Sequence, residues 1–367
     1  MHSSAGRYGA DRQLALLAAG LDPARYRPLV VLAMDGELRA DLQAAGVEVL
    51  VRPLAVLRRA ALTPGGLARI GGSLARDTGG LARLARRRDV ALVHTNTSVT
   101  LGGAAAARAA GLAHVWHVRE IYAGFERFWP VYRRLLLTAA AVPCVSEATR
   151  AQLGDDSRAL VLHDGLAVAP ARAERASARA ALGLPQDAFV CAILGRISTW
   201  KGQDVLIRAL AEVDGALALV AGDPWPGKER RLEELRALTA SLGVGERVHF
   251  TGFRPDVENV YGAADVVAVP STQPDPLPNS ALEAAAAGCC VVAAAHGGLP
   301  EIVRDGVTGR LVAPGDPRVL AAALAALRDD PAERERLGAA AAADVRERFA
   351  PARLLERTQA LYDELLG

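Results

Sequence analysis

The chain has 367 residues, of which 51% are hydrophobic, 23% charged and only 4% aromatic. Single hydrophobic cores stop growing at roughly 250–300 residues, so this length predicts two domains, and the apolar content excludes a disordered chain. The net charge of +2 lends no support to a nucleic-acid partner, yet it hides a gradient: residues 1–170 carry 21 basic and 14 acidic side chains (+7), the remainder 22 and 27 (−5).

In chain order, the first feature is a turn-like Ser3–Asp11 leading into helical sequence through Leu21, with no strand before it. Doubly wound domains open with a strand, a turn and a helix. The reading therefore expects an upstream start codon to supply a first strand. Strands follow at Arg27–Gly36, Val47–Leu54, Ala91–Asn96, Ala113–Val118 and Ala141–Ser146, with helices such as Asp11–Gly20, Gly36–Ala45 and Gly103–Ala110 between them. A further helix, Gly65–Arg88, carries Arg69, Arg76 and Arg83 at intervals of seven, nearly in line on one face. With Arg86, Arg87 and Arg88 they make a basic stripe suited to solvent, to an anionic membrane surface or to a negatively charged acceptor. The glycine pairs Gly71–Gly72 and Gly79–Gly80 weigh against that helix.

The stretch from Ala167 to Asp187 is rich in Ala, Arg and Pro and lacks a strand, which marks a domain boundary. The expected division is residues 1–170, residues 171–350 and a helix in 351–367 that crosses back to the first domain. Beyond the boundary, strands are predicted at Ala188–Arg196, Ala216–Gly222, Arg247–Gly252, Asp265–Ser271 and Cys289–Ala295. Strands alternating with helices throughout give an α/β fold class with doubly wound parallel sheets.

Cys144, Cys191, Cys289 and Cys290 form no C-x-x-C pair and sit in apolar runs, as buried free thiols of a reducing compartment do. The opening residues contain no signal-peptide core, and the apolar runs fall far short of the ~18 residues a membrane span needs. The expected location is the cytoplasm, with membrane contact limited to the inner face of the plasma membrane. No Asp-x-Asp occurs, and His114 and His117 face opposite sides of a strand, so no metal site is expected.

The most informative segment is Pro270–Val312. Asp275 lies in a Pro-rich loop, and Glu283 stands eight positions on in an Ala-rich helix. Asn279 or Ser280 is the expected N-cap, with the helix beginning near Ala281. Free N–H groups at such a helix start suit phosphate. The two acids either reach the hydroxyls of a sugar or ribose, or are an ordinary loop acid and an exposed helix Glu. Earlier, Arg196 and Lys201 directly follow the strand Ala188–Leu194. Ligands of open α/β sheets bind beyond the carboxyl ends of strands, and two fixed cations there suit a diphosphate. Lys201 is one of only two lysines, the other being Lys228.

Together these blocks resemble the retaining glycosyltransferases of family four, which have the GT-B fold. The resemblance is carried by GRISTWKGQDVLIRAL (Gly195–Leu210), FTGFRPDVENVYGAADVVAVPS (Phe250–Ser271) and LEAAAAGCCVVAAAHGGLPEIVRDGVTGRLV (Leu282–Val312), with HTNTS, WHVREI and CVSEATRAQL in the first half. It implies two doubly wound domains with a cleft between them, the second holding a nucleotide-sugar donor and the first an acceptor. Arg196 and Lys201 would neutralise the donor diphosphate, Glu283 would hold the ribose hydroxyls, and Asp275 would contact the transferred sugar. His117 stands where the family has a His near that sugar. Gly6 and Gly9 resemble the glycine loop under the diphosphate and acceptor, and Gly297 and Gly298 before Glu301 would let backbone approach the donor.

The implied enzyme needs no metal or cofactor. It would take a UDP- or GDP-linked sugar and transfer it with retention to a sugar, lipid-linked or small-molecule acceptor in polysaccharide, glycolipid or secondary-metabolite synthesis. A nucleotide-sugar epimerase of the same fold and a non-catalytic nucleotide-sugar-binding protein are the rival readings. Three departures from the family pattern stand out: Asp275 in place of Glu, Pro278 where many members have Gly, and the missing opening strand.

Overall fold

The computed structural model describes residues 1–57, 63–122, 124, 126–167 and 169–367. It divides into two units, Met1–Ala167 with Phe349–Gly367, and Val168–Arg348. The first unit runs α1 (Gly9–Gly20), β1 (Leu29–Leu32), α2 (Glu37–Ala44), β2 (Glu48–Val51), α3 (Pro64–Arg87), β3 (Leu92–Thr95), α4 (Gly102–Ala110), β4 (Ala113–Trp116), α5 (Trp129–Leu136), β5 (Val142–Cys144), α6 (Glu147–Ala151) and β6 (Ala159–Val161). The second runs α7 (Arg175–Ala181), β7 (Phe189–Leu194), α8 (Gln203–Leu210), β8 (Ala216–Ala221), α9 (Arg230–Ser241), β9 (Val248–Gly252), α10 (Val257–Ala263), β10 (Val266–Val269), α11 (Asn279–Ala286), β11 (Cys290–Ala294), α12 (Leu299–Ile302), β12 (Arg310–Val312), α13 (Pro317–Asp329) and α14 (Pro331–Arg348). The chain then returns to the first unit as α15 (Pro351–Leu366).

The second unit is built on one parallel sheet in the order β12-β11-β10-β7-β8-β9. Its inner strands are buried on both faces, which is why they read as unbroken apolar runs rather than alternating ones. Short β12, paired only with β11, carries too little pattern to be predicted, and β6 in the first unit escapes for the same reason. The buried core gathers Ile193, Leu206, Val220 and Val292 from the strands and α8, and Leu324 and Leu337 from α13 and α14.

In the first unit, β1 pairs with β2, β3 with β4, and β5 with β6, all in parallel, and bridges from Val115 to Ala141 and Val118 to Cys144 tie β4 to β5. Met1 and His2 fill the position between β1 and β3. His2 N–H donates to the Val31 carbonyl (3.0 Å), Ala33 N–H to that of His2 (3.0 Å), and Asn96 N–H to that of Met1 (2.9 Å).

Helix α3 runs unbroken through both glycine pairs. Thr63 caps it by accepting from Gly66 N–H at 3.1 Å, and buried Leu81, Ala82 and Ala85 anchor its second half, so tertiary packing overrides the glycine penalty. Part of the basic stripe on it is tied to the protein. Arg76 pairs with Asp77 (3.2 Å), Arg88 with Glu48 (2.6 Å), and Arg86 donates to the Ala109 carbonyl. No helix among the described residues is long and apolar enough to cross a membrane.

Candidate functional site

The side chains singled out in the second half gather at the carboxyl ends of β7, β10 and β11. After β7, the chain turns at Gly202, whose φ of +80° and contact with the Pro270 carbonyl leave no room for a Cβ. That close approach sets the loop after β7 against the loop after β10. It brings Lys201 to Asp275, 74 residues on, with Nζ donating to Oδ2 at 2.5 Å. Both side chains are largely buried, at 19% and 8% exposure. Gly298 N–H donates to the Asp275 carbonyl at 2.8 Å, and a Cβ on Gly297 or Gly298 would overlap the backbone of Asp275 or Pro276. The close approach these two glycines permit within the protein is thus to the loop that carries Asp275.

The expected N-cap is corrected. Helix α11 begins at Asn279, and its N-cap is Pro278, which has no side chain to offer the first turn. The fixed φ of proline (here −72°) directs the chain into the helix, and the Pro278 carbonyl accepts from Ala281 N–H at 3.1 Å. Asn279 and Ser280 become first-turn residues, whose N–H groups precede the first intrahelical bond. One turn on, Glu283 Oε2 accepts from the Tyr261 hydroxyl at 3.4 Å. Arg196 lies under Trp225, its guanidinium carbon 3.2 Å from the ring centroid, and Lys201 Nζ sits 4.3 Å from that of Trp200. Among the described residues, buried Ser198 Oγ and Ser271 Oγ of these same loops, and Gln203 Oε1 at the start of α8, have no hydrogen-bond partner, which native interiors rarely tolerate without water or ligand.

His117, Gly6 and Gly9 belong to the first unit. His117 follows β4, is fully buried, and its ring lies 5.5 Å from that of His94. Burial holds His117 well below the usual histidine range, Arg119 and His94 add to this, and contact with the Leu162 backbone opposes it weakly. Among the described residues, neither ring nitrogen has a hydrogen-bond partner. Beside it, His94 Nδ1 meets the Tyr362 hydroxyl of α15 at 2.6 Å. Gly9 opens α1, and Gly6 precedes it against Tyr8 and Asp11. Burial pushes the Asp11 carboxyl up, but bonds from His2 (2.7 Å), Ser4 (2.5 Å) and Tyr8 N–H (3.0 Å) outweigh it and hold the group low.

Sequence reasoning did not single out Arg119, Glu120 or Trp225. Arg119 donates to Asp164 and to both oxygens of Asn96, while half-buried Glu120 accepts from Ser98. Both stand in WHVREI, so the segment was visible but the roles were not. Trp225 carried one signal, its place between two prolines. Among the described residues, no three His, Cys, Asp or Glu side chains are grouped to hold a metal ion.

Residues 174–344 match the family model described as glycosyl transferases group 1, and residues 8–165 match that described as glycosyltransferase family 4. The chain belongs to the group 1 glycosyltransferases. Among curated proteins, the D-inositol 3-phosphate glycosyltransferase of Mycobacterium sp. (strain KMS) is 47% identical over 161 residues, 43% of this chain and 36% of that protein. The protein of the same name from Mycobacterium avium (strain 104) is 43% identical over 181 residues, or 48% and 42%. The aligned part thus spans about two-fifths of those proteins' length. Along the whole chain, the structure of Anabaena Alr3699/HepE in complex with UDP and glucose aligns with 28% identity and a TM-score of 0.84, covering 99% of each chain. Sucrose-phosphate synthase from Thermosynechococcus elongatus, at 22% identity and a TM-score of 0.76 over 95% of this chain, shares the fold. The architecture is accordingly GT-B, two Rossmann-like α/β domains with parallel sheets.

Proposed function

We propose that this protein is a metal-independent, retaining glycosyltransferase that moves a sugar from a nucleoside-diphosphate sugar to an acceptor hydroxyl. The observation that carries the reading is the pairing of Lys201 with Asp275 at the carboxyl ends of β7 and β10, with Arg196 on the same loop as Lys201 and α11 opening four residues after Asp275. Two cations and a helix N-terminus suit a diphosphate, and a carboxylate against them suits the sugar it bears. In this reading Arg196, Lys201 and the N–H groups of Asn279 and Ser280 hold the diphosphate and stabilise the charge that grows as the bond from the sugar C1 to the diphosphate oxygen breaks. Asp275 orients the sugar and Glu283 the ribose. The new bond joins the acceptor oxygen to C1 on the face the diphosphate leaves, and the acceptor hydroxyl's proton passes to the departing diphosphate oxygen.

UDP is the favoured nucleotide, because Anabaena HepE was captured with UDP and UDP-glucose and aligns over 99% of this chain. The +7 charge of residues 1–170 favours an anionic acceptor or one at an anionic membrane surface. The test is a panel of UDP-, GDP- and ADP-sugars followed by thermal shift and nucleotide release. Stabilisation by one nucleotide, with acceptor-dependent release, supports the reading, and absence of stabilisation by every nucleoside diphosphate overturns it.

A further inference from the structure

The loops after β7 and β8 are zipped together beyond the sheet. Gly195 N–H donates to the Ala221 carbonyl (3.0 Å), Ile197 N–H donates to that of Asp223 (3.1 Å), and Ile197 bridges Pro224 in parallel. Gly222, at φ +145°, lies so close to the Gly195 carbonyl that a Cβ would overlap it. In this register Arg196 stands opposite Asp223, and Trp225, two positions further on, is its diagonal neighbour on the same face. A tight turn then fixes the tryptophan: Lys228 N–H donates to the Trp225 carbonyl at 2.8 Å, and Gly227 sits at φ +78°. The outcome is the 3.2 Å stack of the guanidinium on the indole, although the ring is 51% exposed. A half-exposed tryptophan contributes little to a core. Its placement calls for another explanation.

We propose that Trp225 is a positioning residue: it stacks on Arg196 and presents the guanidinium edge to the donor diphosphate. This rests on the donor-binding reading above. The N–H groups of a guanidinium lie in its plane, so a ring on its face selects the orientation of that plane without competing for those donors. The stack also excludes water from one face, which strengthens the charge interaction made at the edge.

The experiment measures binding of UDP and GDP, each against its own monophosphate, by calorimetry on the full-length protein and on W225A, W225F and R196A. Cation–π energies predict that W225A weakens binding of the diphosphate roughly 3- to 30-fold. The matching monophosphate changes less than about twofold, W225F recovers most of the loss because a phenyl face still stacks, and unfolding midpoints stay within a few degrees, as for an exposed side chain. A diphosphate preference lost in R196A but kept in W225A overturns the proposal, as does W225F behaving like W225A. If R196A itself keeps the diphosphate preference, the assignment of Arg196 fails and the proposal falls with it. An equal loss for monophosphate and diphosphate in W225A, with a lowered midpoint, marks a merely structural tryptophan and also overturns the proposal.

Discussion

Asp265 lies at the opposite end of the second unit's sheet from the candidate site, and replacing it with Asn separates stability from function. Its carboxylate, 2% exposed, accepts from Arg179 (2.7 Å), Arg175 (2.5 Å) and Val190 N–H (2.8 Å). Arg179 is fully buried and also donates to the carbonyls of Ala263, Gln186 and Ala188. Burial presses its pKa down, and Asp265 supplies the main opposing charge. Removing one partner of a buried pair costs about 3–5 kcal/mol, because the other charge is left uncompensated. The surviving carbonyl contacts and the half-exposed Arg175 place D265N at about 3 kcal/mol. At roughly 2–4 °C per kcal/mol for a domain of this size, the midpoint of the second unit falls by about 6–12 °C. The site lies beyond the four residues of β10, about 13 Å away at roughly 3.3 Å per residue, so the UDP affinity of the folded variant stays within about twofold. Thermal and urea unfolding, with calorimetric titration of UDP well below the midpoint, measure both quantities. A loss under about 1 kcal/mol, or UDP binding that weakens in step with stability, refutes the reasoning.

K201M weakens UDP binding roughly 10- to 100-fold, the range expected for charged hydrogen bonds, whereas D275N keeps UDP affinity and loses at least tenfold in turnover; the two effects are separated by calorimetry and initial rates. Burial raises the Cys144 and Cys290 thiols to about 12 and Cys289 to about 11, and lifts Cys191 as well. A thiol reagent therefore labels the native protein only at the rate of unfolding at pH 8. Because these pKa values are higher in the folded state, the thiols cost no stability below the unfolded value near 9, and stability falls as pH rises from there toward 12, which urea titrations at pH 8 and 10 compare. If the first unit meets an anionic surface, R76A with R83A lowers retention on phosphatidylserine vesicles severalfold in a sedimentation assay, and unchanged retention removes the membrane reading.

What the sequence made legible follows from what each feature depends on. The strands of the second unit could be read because burial on both faces writes them as short apolar runs, AFVCAIL and DVVAV among them. The start of α11 was displaced because Asn279 and Ser280 are good caps in isolation, while Pro278 wins by fixing the entry angle. Neither the Lys201–Asp275 pair nor the Arg196–Trp225 stack has a local signal. One depends on Gly202 lying against Pro270, the other on a ladder between Gly195–Ile197 and Ala221–Pro224, and contacts of that kind exist only once the sheet has formed. The Tyr362–His94 bond, spanning 268 positions, is out of reach for the same reason.

The return of α15 gives the chain a nested grammar. Leu166 N–H bonds the Phe349 carbonyl at 2.7 Å, and Gly165 lies against Pro351, so the chain leaves the first unit and re-enters it at neighbouring points. The second unit is in effect a long clause set within a short gap of the first. Made on a ribosome, the second unit has all its strands before the first has Leu361 and Tyr362, which complete the cluster around Val115 and Ala141. The half that is begun first is the half that is finished last, and until α15 arrives His94 lacks the Tyr362 hydroxyl that meets its Nδ1.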